Sequence, residues 1–228
     1  IAWDFRYESP NPVRDNGKFN PFGEDRSGIL AMPGTYKVSL SQYHRGEITE
    51  LVAPTEFNIR QLEITTLPAP DHEEMVAFQQ KVMDLTRTMI GASRMSGDMM
   101  DRVKQIKQTI LNTPAETSEL MKEAERIEDE LDEIIFAFEG VDAKASSEEI
   151  PPRIVPLMSR LSDVTYTHYR STSKITETEK TNYRILMEKF PPLLEKLKEL
   201  KQKDIRMLEE KLENLNAPWT TGRIPQMK

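Results

Sequence analysis

The side chains that most often catalyse reactions or bind metals are scarce in this chain. It has no cysteine and three histidines, His44, His72 and His168. None of them belongs to an HExxH motif or to a pair spaced four residues apart, the patterns that favour a metal site on a helix. No arrangement typical of a Ser-His catalytic triad is recognisable either. We therefore expect no catalytic residue, no metal site and no cofactor in this chain.

Acidic and methionine side chains are plentiful, but their positions favour structural roles. The densest acidic run, EAERIEDELDE at 123–133, lies mostly off the apolar stripe of a predicted helix. A solvated helix face explains it better than a catalytic carboxylate pair, which requires a cleft. Thioethers can bind Cu(I), yet most of the methionines lie on or beside an apolar helical seam and are better explained as core residues. Met83 and Met100 are the two that we expect to be exposed.

Composition excludes two broad classes of partner. The net charge of -7 makes nucleic-acid binding improbable. No run of eighteen apolar residues exists, so no membrane-spanning segment is expected. The chain begins at Ile1 inside a strand-like run, which favours a fragment of a longer protein whose targeting signal lies upstream.

Residues 1–67 predict a small β-rich unit. Apolar and polar residues alternate in short runs that are separated by Gly, Pro and Asn, the pattern of half-buried strands. Pro33 and Gly34 predict a type II turn with a positive φ at Gly34, and a second turn is expected around Gly46. The strands are expected at 1–7, 35–43, 47–53 and 55–60. Four strands predict an incomplete immunoglobulin-like antiparallel β-sandwich.

Residues 68–216 predict an elongated antiparallel bundle of three to four helices. A capping signal from Asp71 to Glu74 precedes apolar residues at spacings of three and four, which predict one helix of roughly 40 residues. A second helix is expected between the capping signal at 113–116 and Gly140. The segment GASRMSG at 91–97 either lets a second helix approach closely or is a weak, bent point.

The second half of this bundle is marked by prolines. Pro151 and Pro152 are expected to open a third helix that places Ile154 on its apolar side. A fourth helix is expected from near Thr176 or Thr178, with a kink or break at the pair 191–192. The chain is thus predicted to be an α+β multidomain protein.

The C-terminal segment, residues 217–228, does not continue the last helix. Trp219 and Arg223 are candidates for a tail that folds back and docks on another domain. A frayed terminus is the alternative.

Two motifs resemble a known family. The run Trp3-Asp4-Phe5-Arg6, followed by a Pro/Gly-rich loop and by Pro33-Gly34-Thr35-Tyr36, resembles the C-terminal region of bacterial BNR-repeat, sortilin-like (VPS10-like) proteins with a glycosyl-hydrolase fold. In these proteins an immunoglobulin-like module precedes a helical segment, and the tail PWTTGRIP is also similar to the end of such chains. The resemblance implies that the matching residues form the fold: Trp3, Asp4, Arg6, Pro33, Gly34, Thr35 and Tyr36.

The resemblance also implies a β-propeller upstream of this chain, together with any catalytic site and an exported location. Three functions follow as hypotheses. The first is a non-catalytic accessory module that braces or docks on the propeller or another protein, which predicts a buried Trp3. The second is a carbohydrate-binding module in which Trp3, Tyr7 or Tyr43 stacks on a sugar ring. The third is part of a glycosidase.

Overall fold

The computed structural model describes residues 3–12, 28–62, 69–141 and 154–224, and it is an α+β structure. A two-stranded antiparallel sheet is followed by four helical rods, the last of which contains a π-helical turn. The elements are β1 Gly34–His44, β2 Glu47–Ile59, α1 His72–Leu111, α2 Ser118–Glu139, α3 Leu157–Arg170, α4 Glu177–Glu199, the π turn Leu200–Asp204 and α5 Ile205–Asn214.

The two strands form one long hairpin. Its two-residue turn, Arg45-Gly46, has positive φ at both residues, as a type I′ turn requires. The turn predicted around Gly46 is therefore confirmed. Residues 47–53 and 55–60, predicted as separate strands, are largely one strand. Pro54 is tolerated because it lies in a register shift, where a bulge interrupts the pairing with β1.

A complete sandwich is not present in the described part of the chain. The run at 3–7 contributes only a bridge between Arg6 and Leu30, because Phe5 has a φ of 58° and leaves the extended conformation. Gly34 is paired with Ile59 at the start of β1 and does not have the positive φ that we predicted for it. Within the described residues, the hairpin therefore has neither a second sheet nor a helix over most of its surface.

Helix α1 is the central element of the bundle. It has 40 residues and is about 60 Å long, as predicted, and Asp71 caps it by accepting a hydrogen bond from the backbone N of Glu74. It contacts α2, α3, α4 and α5. The apolar faces of the helices pack against one another and form the core. Its largest fully buried side chains include Met89, Ile106, Ile127, Leu131, Phe138, Leu186, Leu197 and Leu208.

Several predictions within α1 and α3 are corrected. Met83 and Met100 are buried, with 8% and 7% of their surface exposed, because the helix is covered on more than one side. The predicted opening of the third helix at 151–152 lies outside the described residues. The helix that is described begins at Leu157, after Pro156, and Ile154 is exposed ahead of it.

The prolines at 191 and 192 do not break the last rod. Helix α4 continues through both of them. The carbonyl groups that lose a backbone donor belong to Met187 and Glu188, which lie on the exposed side where water can replace the missing hydrogen bonds. The irregularity comes later, at the π turn, and α5 follows it directly, with right-handed helical backbone angles at Asp204 and Ile205.

Candidate functional site

The residues of the two family-like motifs meet at the base of the hairpin. The indole of Trp3 contacts the rings of Tyr36 and Phe57, with centroid distances of 5.5 and 6.2 Å, and Tyr36 stacks on Phe57. The indole N–H of Trp3 donates to the carbonyl of Arg6 at 2.8 Å. Trp3 of the first motif thus packs against Tyr36 of the second motif and against Phe57 on β2.

Arg6 and Asp4 hold the chain that leads into the hairpin. The Nη1 of Arg6 donates to the carbonyl of Gly28 at 2.9 Å, and its Nε lies 3.8 Å from a carboxylate oxygen of Asp4. Gly28 is required here, since a Cβ at this position would lie 1.9 Å from the carbonyl oxygen of Tyr7. These contacts are consistent with a fold-forming role.

The second motif is held by side-chain hydrogen bonds across and behind the hairpin. The hydroxyl of Thr35 donates to Oδ1 of Asn58, its partner on β2, at 2.8 Å. The hydroxyl of Tyr36 donates to the carbonyl of Met32 at 2.7 Å. Burial, with a contribution from Tyr7, raises the pKa of Tyr36 to about 12, so this phenol is neutral at physiological pH.

An apolar face of the hairpin extends outward from this base. Residues two apart on a strand share a face, and so do directly opposed residues on the neighbouring strand. Val38 and Leu40 therefore lie on the same face as Tyr36, and Val52 is the partner of Leu40. Val38, Leu40 and Val52 are 57%, 45% and 52% exposed. We call the residues Tyr36, Val38, Leu40, Val52 and Phe57 the hairpin face.

Trp3 is not buried, contrary to the prediction of the accessory-module hypothesis. Its side chain is 41% exposed, beside Phe5 at 49%. Tyr7 and Tyr43, the other aromatic residues considered for sugar stacking, are also exposed, and Tyr43 lies near the opposite end of the hairpin, paired with Ile48. The structure thus brings Trp3 together with Tyr36 but does not bring Tyr43 to the same place.

The C-terminal tail packs back on the bundle through Arg223. This guanidinium is buried, donates from Nε to Oε1 of Glu213 at 2.6 Å, and donates from Nη1 to the carbonyl of Pro218 at 2.7 Å. Arg223 lowers the pKa of Glu213 by this hydrogen bond. The ring of Trp219 is 55% exposed, and its N–H donates to the carbonyl of Arg223. The described part of the tail is therefore folded, with its indole facing outward.

No pattern in the sequence indicated that His168 and Glu179 form a buried pair. Their side chains are 3% and 8% exposed, and His168 Nε2 lies 3.4 Å from Glu179 Oε1. The capping box formed by Thr176 and Glu179 is readable from sequence. The histidine contact is not, because it depends on how α3 packs against α4.

The described residues contain no group of three or more acidic or histidine side chains placed to hold a metal ion. No helix in the described ranges combines the length and apolar character needed to cross a bilayer. No protein-family model, curated protein or solved structure shows a significant match to this chain.

Proposed function

We propose that this chain is a non-catalytic docking module that joins a rigid helical bundle to another protein through its hairpin. The observation that carries the proposal is the exposed hairpin face, in which Val38, Leu40 and Val52 lie side by side without a covering element in the described part of the chain. Contiguous exposed apolar surface is typical of interaction sites.

Stability considerations support the same proposal. A two-stranded hairpin with no packed face is marginally stable by itself in water. The aromatic cluster around Trp3 and Tyr36 anchors one end of the hairpin, while the remaining length projects with both faces accessible. A protein surface that covers the hairpin face would remove this apolar area from water and contribute favourable binding free energy.

The partner that we propose is the β-propeller that the family resemblance implies. In this arrangement the bundle, with its 40-residue α1, serves as the brace and the hairpin face is the contact surface. The exposed Trp3 is then part of the surface that becomes covered on docking. Location in an exported protein is part of this proposal and rests on the resemblance alone.

A matched pair of substitutions tests the proposal. Val38→Lys places a charge on the hairpin face, whereas Ser41→Lys places the same charge an odd number of residues away, on the opposite face. Both positions are exposed, so both variants should fold. In a pull-down with the separately expressed propeller, we expect Val38→Lys to lose binding by at least about ten-fold and Ser41→Lys to retain it. Equal binding by both variants would contradict the proposal.

The carbohydrate-binding alternative is favoured by one observation, the exposure of Trp3 and Tyr7. A glycan module predicts that polysaccharide changes the tryptophan fluorescence of the isolated chain. Binding of immobilised polysaccharide by the chain, abolished by Trp3→Ala, would favour this alternative over docking. The glycosidase alternative predicts turnover of a glycoside by the chain alone.

A further inference from the structure

A cavity of 760 Å³ lies where the hairpin base meets the bundle. Its walls come from Phe5, from the chain at 30–33, from the end of β2 and the residues after it, from the first turns of α1, and from the α3–α4 connection at 171–173. This volume is within the range of sites that bind small molecules, about 300–1,000 Å³.

The walls of the cavity are mainly apolar. Apolar side chains are supplied from both sides: by Met75 and Val76 of α1, and by Phe57 and Ile59 of β2. Met75 and Val76 are themselves only 4% and 6% exposed, so this wall is part of the packed structure. An apolar ligand body would find van der Waals contacts on opposite sides.

A small number of polar residues also line this space. The Nε2 of His72 is buried and has no hydrogen-bond partner among the described residues. Gln79, two turns further along α1, lines the same cavity and is 3% exposed. Buried donors and acceptors are normally paired, so an unpaired one next to a cavity marks a place where a ligand can supply the partner.

The charge of the lining indicates which ligand would fit. Among the described residues, Arg60 lines the cavity, and neither an aspartate nor a glutamate does. No carboxylate pairs with Arg60 among the described residues, although the chain as a whole carries a net charge of -7. Arg60 and His72 together offer hydrogen-bond donors to an anionic head group, and a guanidinium matches the geometry of a carboxylate.

We propose that this cavity binds a small amphipathic carboxylate, with its hydrocarbon body between α1 and the end of β2 and its head group at Arg60 and His72. This site shares Phe57 with the hairpin face but includes none of Val38, Leu40 and Val52. Val38 does not line the cavity, so Val38→Lys should leave ligand binding unchanged, and failure of either proposal is visible independently of the other.

Trp3 provides a direct reporter. It contacts Phe5 and Phe57, which line the cavity, and the only other tryptophan is Trp219 in the tail. In the full chain carrying Trp219→Phe, a terminally brominated undecanoate should quench Trp3 fluorescence saturably. In the chain carrying Trp3→Phe, the same probe should leave Trp219 unquenched. Equal quenching of both tryptophans would indicate non-specific association and overturn the proposal.

The head-group assignment is tested with dodecanoate and dodecanol, measured by competition with the brominated probe. Arg60→Gln should weaken dodecanoate binding on the order of ten-fold, the loss of about one charge-assisted hydrogen bond, and leave dodecanol binding unchanged. Arg87→Gln, a matched change on α1 outside the cavity, should affect neither ligand. An equal loss in Arg60→Gln and Arg87→Gln, or no preference for dodecanoate over dodecanol, would refute the proposed head-group site.

The location is tested by filling the cavity. Ala31→Leu adds bulk to the lining, whereas Ala77→Leu adds the same bulk to an exposed position of α1 that does not line it. Only Ala31→Leu should abolish quenching of Trp3, with far-ultraviolet circular dichroism confirming that both variants retain their helices. Unchanged quenching in a folded Ala31→Leu variant would place the ligand elsewhere.

Discussion

The imidazole of His168 and the carboxylate of Glu179 form a buried pair, with Nε2 and Oε1 3.4 Å apart, between the end of α3 and the start of α4. The ring of Phe78 from α1 packs edge-on against the imidazole at a centroid distance of 5.5 Å. The other carboxylate oxygen of Glu179 accepts hydrogen bonds from the backbone N and the hydroxyl of Thr176. Three helices are thus joined at one point.

The stability of the chain should fall on mild acidification because of His168. Burial lowers the pKa of this histidine, and the opposing effect of Glu179 compensates only in part. The unfolded chain therefore takes up a proton here at a higher pH than the folded chain. The stabilisation is fully present above the ordinary histidine pKa of about 6.5 and is lost as the pH falls toward the lower folded value. Urea unfolding at about pH 7.5 and about pH 5.5 should show this decrease.

His168→Gln should reduce the pH dependence of the free energy of unfolding over this interval. His44→Gln is the matched control, because His44 is exposed in the hairpin. If His168→Gln retains the full pH dependence of the unmodified chain, the buried imidazole is not its source.

Glu179→Ala should lower the free energy of unfolding by about 1–3 kcal/mol. The substitution removes the side-chain acceptor for the backbone N–H of Thr176. The capping box at the start of α4 therefore loses one of its two reciprocal hydrogen bonds. Glu179→Gln retains one acceptor oxygen and should cost less. Glu177→Ala, on the exposed side of the same helical turn, should have a small effect. Equal losses for Glu179→Ala and Glu177→Ala in urea titrations would contradict this role.

Two glycines should respond oppositely to alanine. Gly222 has a φ of 92°, and a Cβ there would lie 2.7 Å from the guanidinium of Arg102, so Gly222→Ala should destabilise the chain. Gly97 lies within α1 with nothing within 4 Å of a Cβ, so Gly97→Ala should stabilise it by up to about 1 kcal/mol. Thermal unfolding would measure both, and a destabilising Gly97→Ala would show that the helix needs flexibility at this point.

The folded tail should depend on Arg223. Arg223→Ala removes the donors to Glu213 and Pro218, and we expect the tail to become more sensitive to limited proteolysis. Arg223→Lys should restore little of the tail's resistance to proteolysis, since an ammonium cannot reproduce the two directed hydrogen bonds of the guanidinium. Arg87→Ala removes an exposed ion pair and serves as the control. Unchanged cleavage of the tail in Arg223→Ala would mean that other contacts hold it.

The two helices α1 and α2 could be predicted from the sequence because each carries its own signals. Asp71 at the start of α1 and Gly140 at the end of α2 are local caps, and apolar spacing of three and four identifies the buried faces. The same spacing could not show that Met83 is covered, because its burial depends on residues distant in sequence. Similarly, the sequence around the glycines at 91 and 97 left open whether a second helix approaches them. In the described part of the chain, no atom of another element lies within 4 Å of a Cβ placed at either glycine.

The β-part and the candidate sites were less predictable for the same physical reason. The alternation in β1 predicts which residues share a face of the strand, but it does not predict whether another element covers that face. Pro54 predicted a break between two strands, although a bulge accommodates this proline within one strand. The cavity beside His72 is formed by segments from five parts of the chain, so no local pattern could reveal it.

The π turn has a consequence for sequence length. From Leu200 the next buried residue is Ile205, five positions on, and the backbone N of Ile205 donates to the carbonyl of Leu200. In a regular α-helix the residue four positions after Leu200 lies on the same face, so Asp204 would take the buried position that Ile205 occupies. The turn absorbs one surplus residue and returns Leu208 and Leu212 to the core. A chain lacking one residue between 201 and 204 would therefore form an uninterrupted α-helix with the same leucines buried, and one-residue gaps there are expected among any homologues of this rod.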